Sequence, residues 1–325
     1  MKLRFDRMRV PGGAAWLALA ALAVVCSLTS PTFAKTANLL NVARQSSYTG
    51  LVALGMTFVI VAGGIDLSVG SLFALSGVAA AKILGLLPAG ALGDVPFALA
   101  CAALCLLAGA AGGAVNGALV VAGRIPPFIA TLGTYSVFRS LSLYLADSGN
   151  APSPAYDNAV TRFGQSAPLG LPAPVWLLLL LAVVLGVALA RTPWGRHVLA
   201  TGASERVARF AGIRVGRIRF GTYLLVGALA GLASFLALGR LGTISSSNAG
   251  LFFELDAIAA VVIGGASMSG GRGTVSGTVA GVLVLGVLSN VLQLWGVDPA
   301  LQGTVKGLVI VLSVLVQRKG SRNAP

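Results

Sequence analysis

Apolar residues along this chain gather into ten runs separated by short polar breaks. The runs predict helices at 14–30, 49–64, 68–86, 97–122, 127–145, 174–190, 220–239, 254–266, 274–294 and 300–316. One helical crossing of a bilayer needs roughly 20 apolar residues. The 254–266 run falls short of that and reads as a broken or half helix. The pattern predicts an all-α polytopic membrane protein of about ten transmembrane helices, some short or broken. They form a single domain over 1–325, with no room for a separate water-soluble domain of normal size.

Composition sharpens this reading. The 325 residues are 56% hydrophobic and only 10% charged, with 43 glycines and a mean hydropathy of +0.90. A soluble domain carries about 25% charge and about 7% glycine. A conventional cytosolic enzyme, a secreted disulfide scaffold and a disordered regulator are therefore excluded. Cys26, Cys101 and Cys105 all lie inside apolar runs and read as small buried hydrophobes. No histidine accompanies them, so no metal site is expected.

The net charge of +14 is informative through its distribution. With a cytoplasmic N-terminus, the inside receives Lys2, Arg4, Arg7 and Arg9, then Arg124, seven arginines between 191 and 219, Arg272, and Arg318, Lys319 and Arg322. The outside receives Lys35, Arg44, Arg162 and Arg240. Positive residues favour the cytoplasmic side. Both termini are thus expected inside, as tails over 1–13 and 317–325, with a large cytoplasmic loop at 191–219. The first span reads as an uncleaved anchor, because Thr32-Phe33-Ala34 is a poor cleavage site and many spans follow. The charge reports topology, and nucleic-acid binding is not expected.

Two glycine ladders, Gly109-Gly113-Gly117 and Gly273-Gly277-Gly281, are spaced by four. That spacing puts each trio on one helix face, where backbones approach closely. Segments 61–71 and 261–271 echo each other: Gly63-Gly64 precedes Ser68 and Gly70, and Gly264-Gly265 precedes Ser269 and Gly271. Asn116 and Asn290 follow at similar distances ahead of Pro126 and Pro299. Paired breaks in two halves of a membrane protein point to an internal repeat with a pathway between the halves.

The inventory for catalysis is nearly empty. His197, the only histidine, lies among the arginines of the 191–219 loop, and no Gly-x-x-x-x-Gly-Lys-Ser/Thr phosphate loop exists. No cofactor is expected, and any ATP-driven work needs a partner. Nine carboxylates remain. Asp66, between two apolar runs, reads either as the cap of the next helix or as a functional intramembrane charge. Glu254 and Asp256 open the short 254–266 run, where they either cap it or take hydrogen bonds from a polyhydroxylated solute at an outer vestibule. Asn116, Asn290, Gln293 and Gln302 are amides near or within spans, suited to bridging helices or lining a wet path. Lys306, in the last run, reads as pairing with a carboxylate such as Asp256 or as snorkelling. The candidate pathway comprises Asp66, Ser68, Asn116, Thr131, Glu254, Asp256 and Asn290.

Within the 191–219 loop, Ser204 can cap a helix, Glu205 suits its first turn and Gly212 is a natural stop. Val207, Phe210 and Ala211 give the resulting two turns a small apolar face. Two turns are not stable alone in water, so this element needs a docking surface: a soluble subunit or the lipid interface.

Several motifs in order resemble one family. They are Gly55-Met56-Thr57-Phe58-Val59-Ile60 running into Gly64-Ile65-Asp66-Leu67-Ser68-Val69-Gly70-Ser71, and Asn116-Gly117 followed by Pro127-Phe128-Ile129-Ala130-Thr131-Leu132-Gly133-Thr134. A third is Glu254-Leu255-Asp256-Ala257-Ile258-Ala259-Ala260-Val261-Val262-Ile263-Gly264-Gly265, continuing into Ser267, Gly270-Gly271 and Gly273. Over roughly residues 38–316 the chain resembles the sugar ABC permeases of the ribose/xylose/galactose class. Asn290, Gln302 and Lys306-Gly307 fall where that family has them. Ala266-Ser267-Met268 departs mildly from the family's Thr-Ser-Leu.

The resemblance implies a type II-like importer permease in a bacterial inner membrane. It would work as a homodimer or paired permease, with cytoplasmic ABC ATPase subunits and a periplasmic sugar-binding protein. The Ala203–Gly212 helix aligns with the loop that couples such permeases to their ATPase, which assigns coupling to Gly202, Ser204, Glu205, Val207, Arg209, Phe210 and Gly212. An ion-coupled secondary transporter, which would work without partners, is the rival reading. A channel is disfavoured by the absence of rings of like charge.

Overall fold

The structure, a computed structural model, describes residues 12–88, 91–153, 158–298, 301–309 and 311. Twelve helices are α1 (Gly13–Thr29), α2 (Thr36–Val61), α3 (Val69–Gly85), α4 (Asp94–Val121), α5 (Pro127–Leu145), α6 (Ala159–Gln165), α7 (Ala173–Arg191), α8 (Pro193–Ala203), α9 (Glu205–Phe210), α10 (Val215–Leu241), α11 (Phe253–Ile263) and α12 (Val275–Leu294). A further helical segment, α13, covers 301–309. Four of these, α4, α7, α10 and α12, are long and apolar enough to cross a membrane by length and composition. A helical membrane protein stands, but those criteria do not reach the expected ten crossings. The tails at 1–13 and 317–325 and the end of the 300–316 run lie wholly or mostly outside the described residues.

Helices α2 and α10 form the centre. From Tyr48 to Ala62 all but one of the α2 side chains are buried, as is most of α10. The first glycine ladder explains how α4 reaches them. A Cβ on Gly109 would lie 2.3 Å from the Gly227 carbonyl oxygen, and one on Gly113 would lie 2.3 Å from that of Tyr223. Real Cβ atoms do not approach so closely, so the two backbones pack in direct contact. The partner ladder, Gly227 and Gly231 on α10, has the same spacing of four. Gly117 meets the ring of Phe220 one turn further on.

The second ladder needs correction. Gly277 and Gly281 do lie on α12 and pack against the α11 carbonyls of Gly264 and Ala260. Gly273, however, precedes the cap Thr274 and so is not part of that helix. It still packs on the same side, against Val61 and Ala266.

The paired breaks share a real piece of geometry. At the end of α2, Gly64 N–H donates to Val59 C=O and Gly63 N–H to Ile60 C=O. At the end of α11, Ala266 N–H donates to Val261 C=O and Gly265 N–H to Val262 C=O. Both are left-handed glycine stops, with φ of +81° at Gly63 and +90° at Gly265. The match is shifted by one residue from the sequence echo, aligning Gly63 with Gly265. After the stops the halves diverge: α3 starts at Val69, whereas a longer turn leads to α12 at Val275.

The bundle has two distinct ends. One carries α8, α9, the 62–68 and 264–274 turns and most of the arginines. The other carries a small antiparallel two-stranded ribbon, hairpin-like in shape but pairing β1 (Asn150–Pro152) with the sequence-distant β2 (Thr243–Ser245), registered Ala151 opposite Ile244. There too sits α6, capped by Asn158 and packed through Gly164 onto Gly239. Ion pairs Lys82–Asp147 and Arg162–Asp94 fasten this end.

Candidate functional site

The residues expected along a pathway fall into two groups. The first is a closed polar network where α3, α4 and α5 meet. Asp66 Oδ1 accepts the Ser68 N–H at 2.8 Å and its hydroxyl at 2.7 Å. Asn116 Nδ2 donates to Asp66 Oδ2 at 3.1 Å and to Ser68 Oγ at 2.7 Å. The Thr134 hydroxyl donates to Asn116 Oδ1 at 2.6 Å, and Thr131, on the same turn of α5, donates to Pro127 C=O. Asp66, Ser68, Asn116 and Thr131 are fully buried. Through Asp66, Ser68, Asn116 and Thr134 the network fastens the 62–68 turn to α4 and α5, while Thr131 bonds only within α5. Asp66 also caps one step early: it satisfies Ser68, the residue before α3, rather than the first turn of the helix.

The second group surrounds an open cavity of about 320 Å³ toward the hairpin end, between α2, α11, α12 and α13. Its walls are polar but almost neutral: Asn41, Gln45, Ser46, Thr49, Ser289, Asn290, Gln293 and Gln302. Asp256 and Lys306 supply its two charges and cancel them against each other, with Lys306 Nζ at 3.0 Å from Asp256 Oδ2. Pairing, not snorkelling, is thus the state of Lys306. Asn290 is held by a reciprocal amide pair with Asn38, at 2.9 and 2.8 Å. Glu254 does not join Asp256 here. It turns toward Gly70, where a Cβ would lie 2.5 Å from its Oε2, and that oxygen has no partner among the described residues. The N-cap of α11 is Phe252, without a side-chain bond, and both acids lie in the first turn of the helix.

The sequence reading missed this cavity because it started α2 at residue 49. The helix begins at Thr36, and its first turns carry Asn38, Asn41, Arg44, Gln45, Ser46 and Ser47. Such residues interrupt an apolar run, yet Asn41, Gln45 and Thr49 follow a spacing of four that marks one wet helix face.

At the arginine-rich end, the 191–219 segment is helical almost throughout rather than a loop. Thr192 caps α8 by accepting the Gly195 N–H at 3.1 Å, and Pro193 takes the first helical position. Ser204 caps α9 by accepting the Val207 N–H at 3.4 Å, and Gly212 ends it with a φ of +77°. Glu205 bridges Arg209, at 2.6 Å, and Arg219, at 2.8 Å. The Arg209 hydrogen bonds foremost, with Arg219 adding, hold its carboxyl below the ordinary value against a smaller opposing effect of partial burial. Val207 and Phe210 are 64% and 85% exposed, so the expected apolar face is open. Gly202 sits elsewhere, wedged in a seam where a Cβ would lie 1.8 Å from the Val61 carbonyl oxygen. Trp194 stacks on Phe58 at 5.0 Å and anchors α8 to α2. Among the described residues no cluster of metal-ligating side chains occurs.

Residues 38–314 match the family described as "Branched-chain amino acid transport system / permease component". The chain is 42% identical over 306 residues to the ribose import permease protein of Bacillus subtilis, covering 94% of this chain and 92% of that protein. It is 41% identical over 305 residues to the ribose import permease protein of Escherichia coli K12, covering 93% and 92%. It is 33% identical to the L-arabinose transport system permease protein of Escherichia coli K12, covering 92% and 88%.

Proposed function

Because the chain belongs to this family of transport-system permease components, we propose that it is the membrane subunit of an ATP-driven, binding-protein-dependent monosaccharide importer working by alternating access. The observation that carries the choice of solute is the cavity between α2 and α12. An amino acid has an ammonium and a carboxylate, and each would need an uncancelled partner in the wall, since burying an unpaired charge is costly. Here Asp256 and Lys306 neutralise each other, and the remaining wall combines amides and hydroxyls with apolar patches from Val42, Leu251, Phe253, Val282 and Leu285, a lining that suits the two kinds of surface of a sugar ring. Neutral donors and acceptors in such numbers suit a neutral polyol ring. The volume is at the small end of ligand cavities, about 300–1,000 Å³. Relatives named for ribose and L-arabinose import agree with this reading.

The distribution of arginines supports a topology with α8 and α9 on the cytoplasmic side and the cavity in the outer half of the membrane. The site is then open outward and blocked inward by the packed turns at 62–68 and 264–274. A loaded binding protein delivers solute at the hairpin end. Paired ATPase subunits grip Val207 and Phe210, and ATP binding switches the opening. The network of Asp66, Ser68, Asn116 and Thr134, tying the start of α3 to α4 and α5, supplies the rigid wall against which the α11–α12 side moves. The experiment is uptake of radiolabelled ribose into proteoliposomes containing the permease, an ATPase subunit and a binding protein. Accumulation is expected only with all three and ATP. Accumulation by the permease alone under an ion gradient would instead establish a secondary transporter.

A further inference from the structure

The arginine-rich end holds a second feature, independent of the transported solute. Between the end of α4 and the start of α10 lies a shallow groove of about 510 Å³. One wall is apolar, formed by Val121, Ile213 and Phe220, and its rim carries Arg209, Arg214 and Arg217. Beyond Val215 and Gly216 it meets a smaller hollow of about 330 Å³, which adds Arg124 and Arg219. Glu205 is the only carboxylate lining either hollow, and it is already engaged by Arg209 and Arg219. Among the described residues Arg124, Arg214 and Arg217 form no ion pair, and all three are exposed. Gly216 keeps the floor low, since a Cβ there would lie 2.9 Å from Val121 Cγ1.

We propose that this groove binds one anionic phospholipid, its phosphate on Arg214 and Arg217 and an acyl chain along Val121 and Phe220. Two features choose a lipid over a free anion or an acidic protein segment. The apolar wall is continuous with the membrane-facing side of the bundle, because Phe220 and Leu224 are one turn apart on α10 and Leu224 is exposed. Arg214 immediately precedes, and Arg217 lies in the first turn of, a helix apolar enough to cross the bilayer, which is the depth of a headgroup. Basic hollows between membrane helices at that depth recognise such headgroups. A lipid held there would lie beside α9 and brace the coupling face.

The test uses the purified full-length chain, with native mass spectrometry and thermal melting in detergent, and phosphatidylglycerol, phosphatidylcholine or inorganic phosphate as probe. One phosphatidylglycerol is expected to be retained and to raise the melting temperature, with phosphatidylcholine and phosphate doing neither. Arg214→Gln/Arg217→Gln should weaken retention by about thirtyfold, at about fivefold per basic side chain near an anionic headgroup. Arg214→Lys/Arg217→Lys should restore most of it. Both side chains are exposed, so folding is expected to survive. Should the glutamine pair misfold, protection of these arginines from phenylglyoxal by phosphatidylglycerol in the unmodified chain decides. Equal effects of phosphatidylcholine would overturn the proposal, as would equal effects of phosphate. Unchanged retention in the glutamine variant would do so too, as would loss of ATPase-subunit capture with lipid retention intact.

Discussion

Replacing Asp256 by asparagine tests the cavity most directly. The Asp256–Lys306 contact is 3.0 Å long, with side-chain exposures of 17% and 26%. At an effective dielectric of about 20 the direct attraction is of order 5 kcal/mol, but dehydration and the water of the open cavity offset most of it. A charge-assisted hydrogen bond in such a setting nets about 1.5–3 kcal/mol. Asp256→Asn keeps the shape, removes that term and leaves the Lys306 ammonium facing the solute without its counter-charge. Uptake of the radiolabelled sugar should fall by about 10- to 150-fold on this basis, while the amount of assembled complex stays constant. The assay is initial-rate uptake in proteoliposomes, run as a cycle with Lys306→Met and the double variant. Because the double variant restores a neutral wall, it should recover part of the activity lost by Asp256→Asn. Unchanged uptake by Asp256→Asn, or a double variant as poor as the two single losses combined, would refute neutralisation as the reason the pair exists.

Asn116→Ala should destabilise the fold by about 1–3 kcal/mol, since Asp66 Oδ2 loses its donor while Oδ1 keeps Ser68 and Thr134 keeps the Thr131 carbonyl; melting in detergent reads this, and no measurable loss would show that water replaces the amide. Gly113→Val should cost about 1–3 kcal/mol or more by pushing α4 off the Tyr223 carbonyl, whereas Gly133→Ala, with nothing within 4 Å, should be near neutral. Glu205→Arg with Phe210→Asp should lower ATPase-subunit affinity roughly thirtyfold or more, as removal of an interface hot spot does, with solute binding at the cavity intact. Glu205 has a lowered folded value, so its contribution to α9 is fully present above the ordinary carboxyl value of 4.5 and fades as pH falls through the lowered one. Protection of the 204–212 amides, after correction for the intrinsic pH dependence of exchange, should therefore fall only in acid, and Glu205→Gln should remove that dependence.

Local signals carried most of what was legible in the sequence. Ser204 and Gly212 bound α9 where they were expected to, and Lys306 reaches Asp256 across fifty residues. The start of α2 was hidden because a helix face that lines water looks, in a hydropathy reading, like a loop. Helix α8 was missed although its signature was present, a threonine cap followed by proline. The partner of the first glycine ladder was also in plain sight as Gly227 and Gly231. By contrast, nothing in three-residue strands announces the hairpin, which depends on Gly149 C=O accepting from the Ser246 N–H and hydroxyl. Nor does spacing tell that Asp66 and Asn116 are knotted together while Asp256 and Asn290 face a void. That division arises only from which helices neighbour one another.

Helix α2 runs unbroken for 26 residues, about 39 Å at 1.5 Å per residue. Its upper turns present Asn41 and Gln45 to the solute chamber. Its lower end is jammed against Gly202 and receives the Gly271 N–H on the Val61 carbonyl at 2.9 Å. A piston of that length has little slack: Gly202 sets backbone against backbone at the seam, and the Trp194–Phe58 stack adds a second contact with α8. A nudge of an ångström delivered by a motor below would therefore arrive at the chamber wall almost undiminished. A single methyl at Gly202 would force that seam apart and leave the thrust to pass through the Trp194–Phe58 stack.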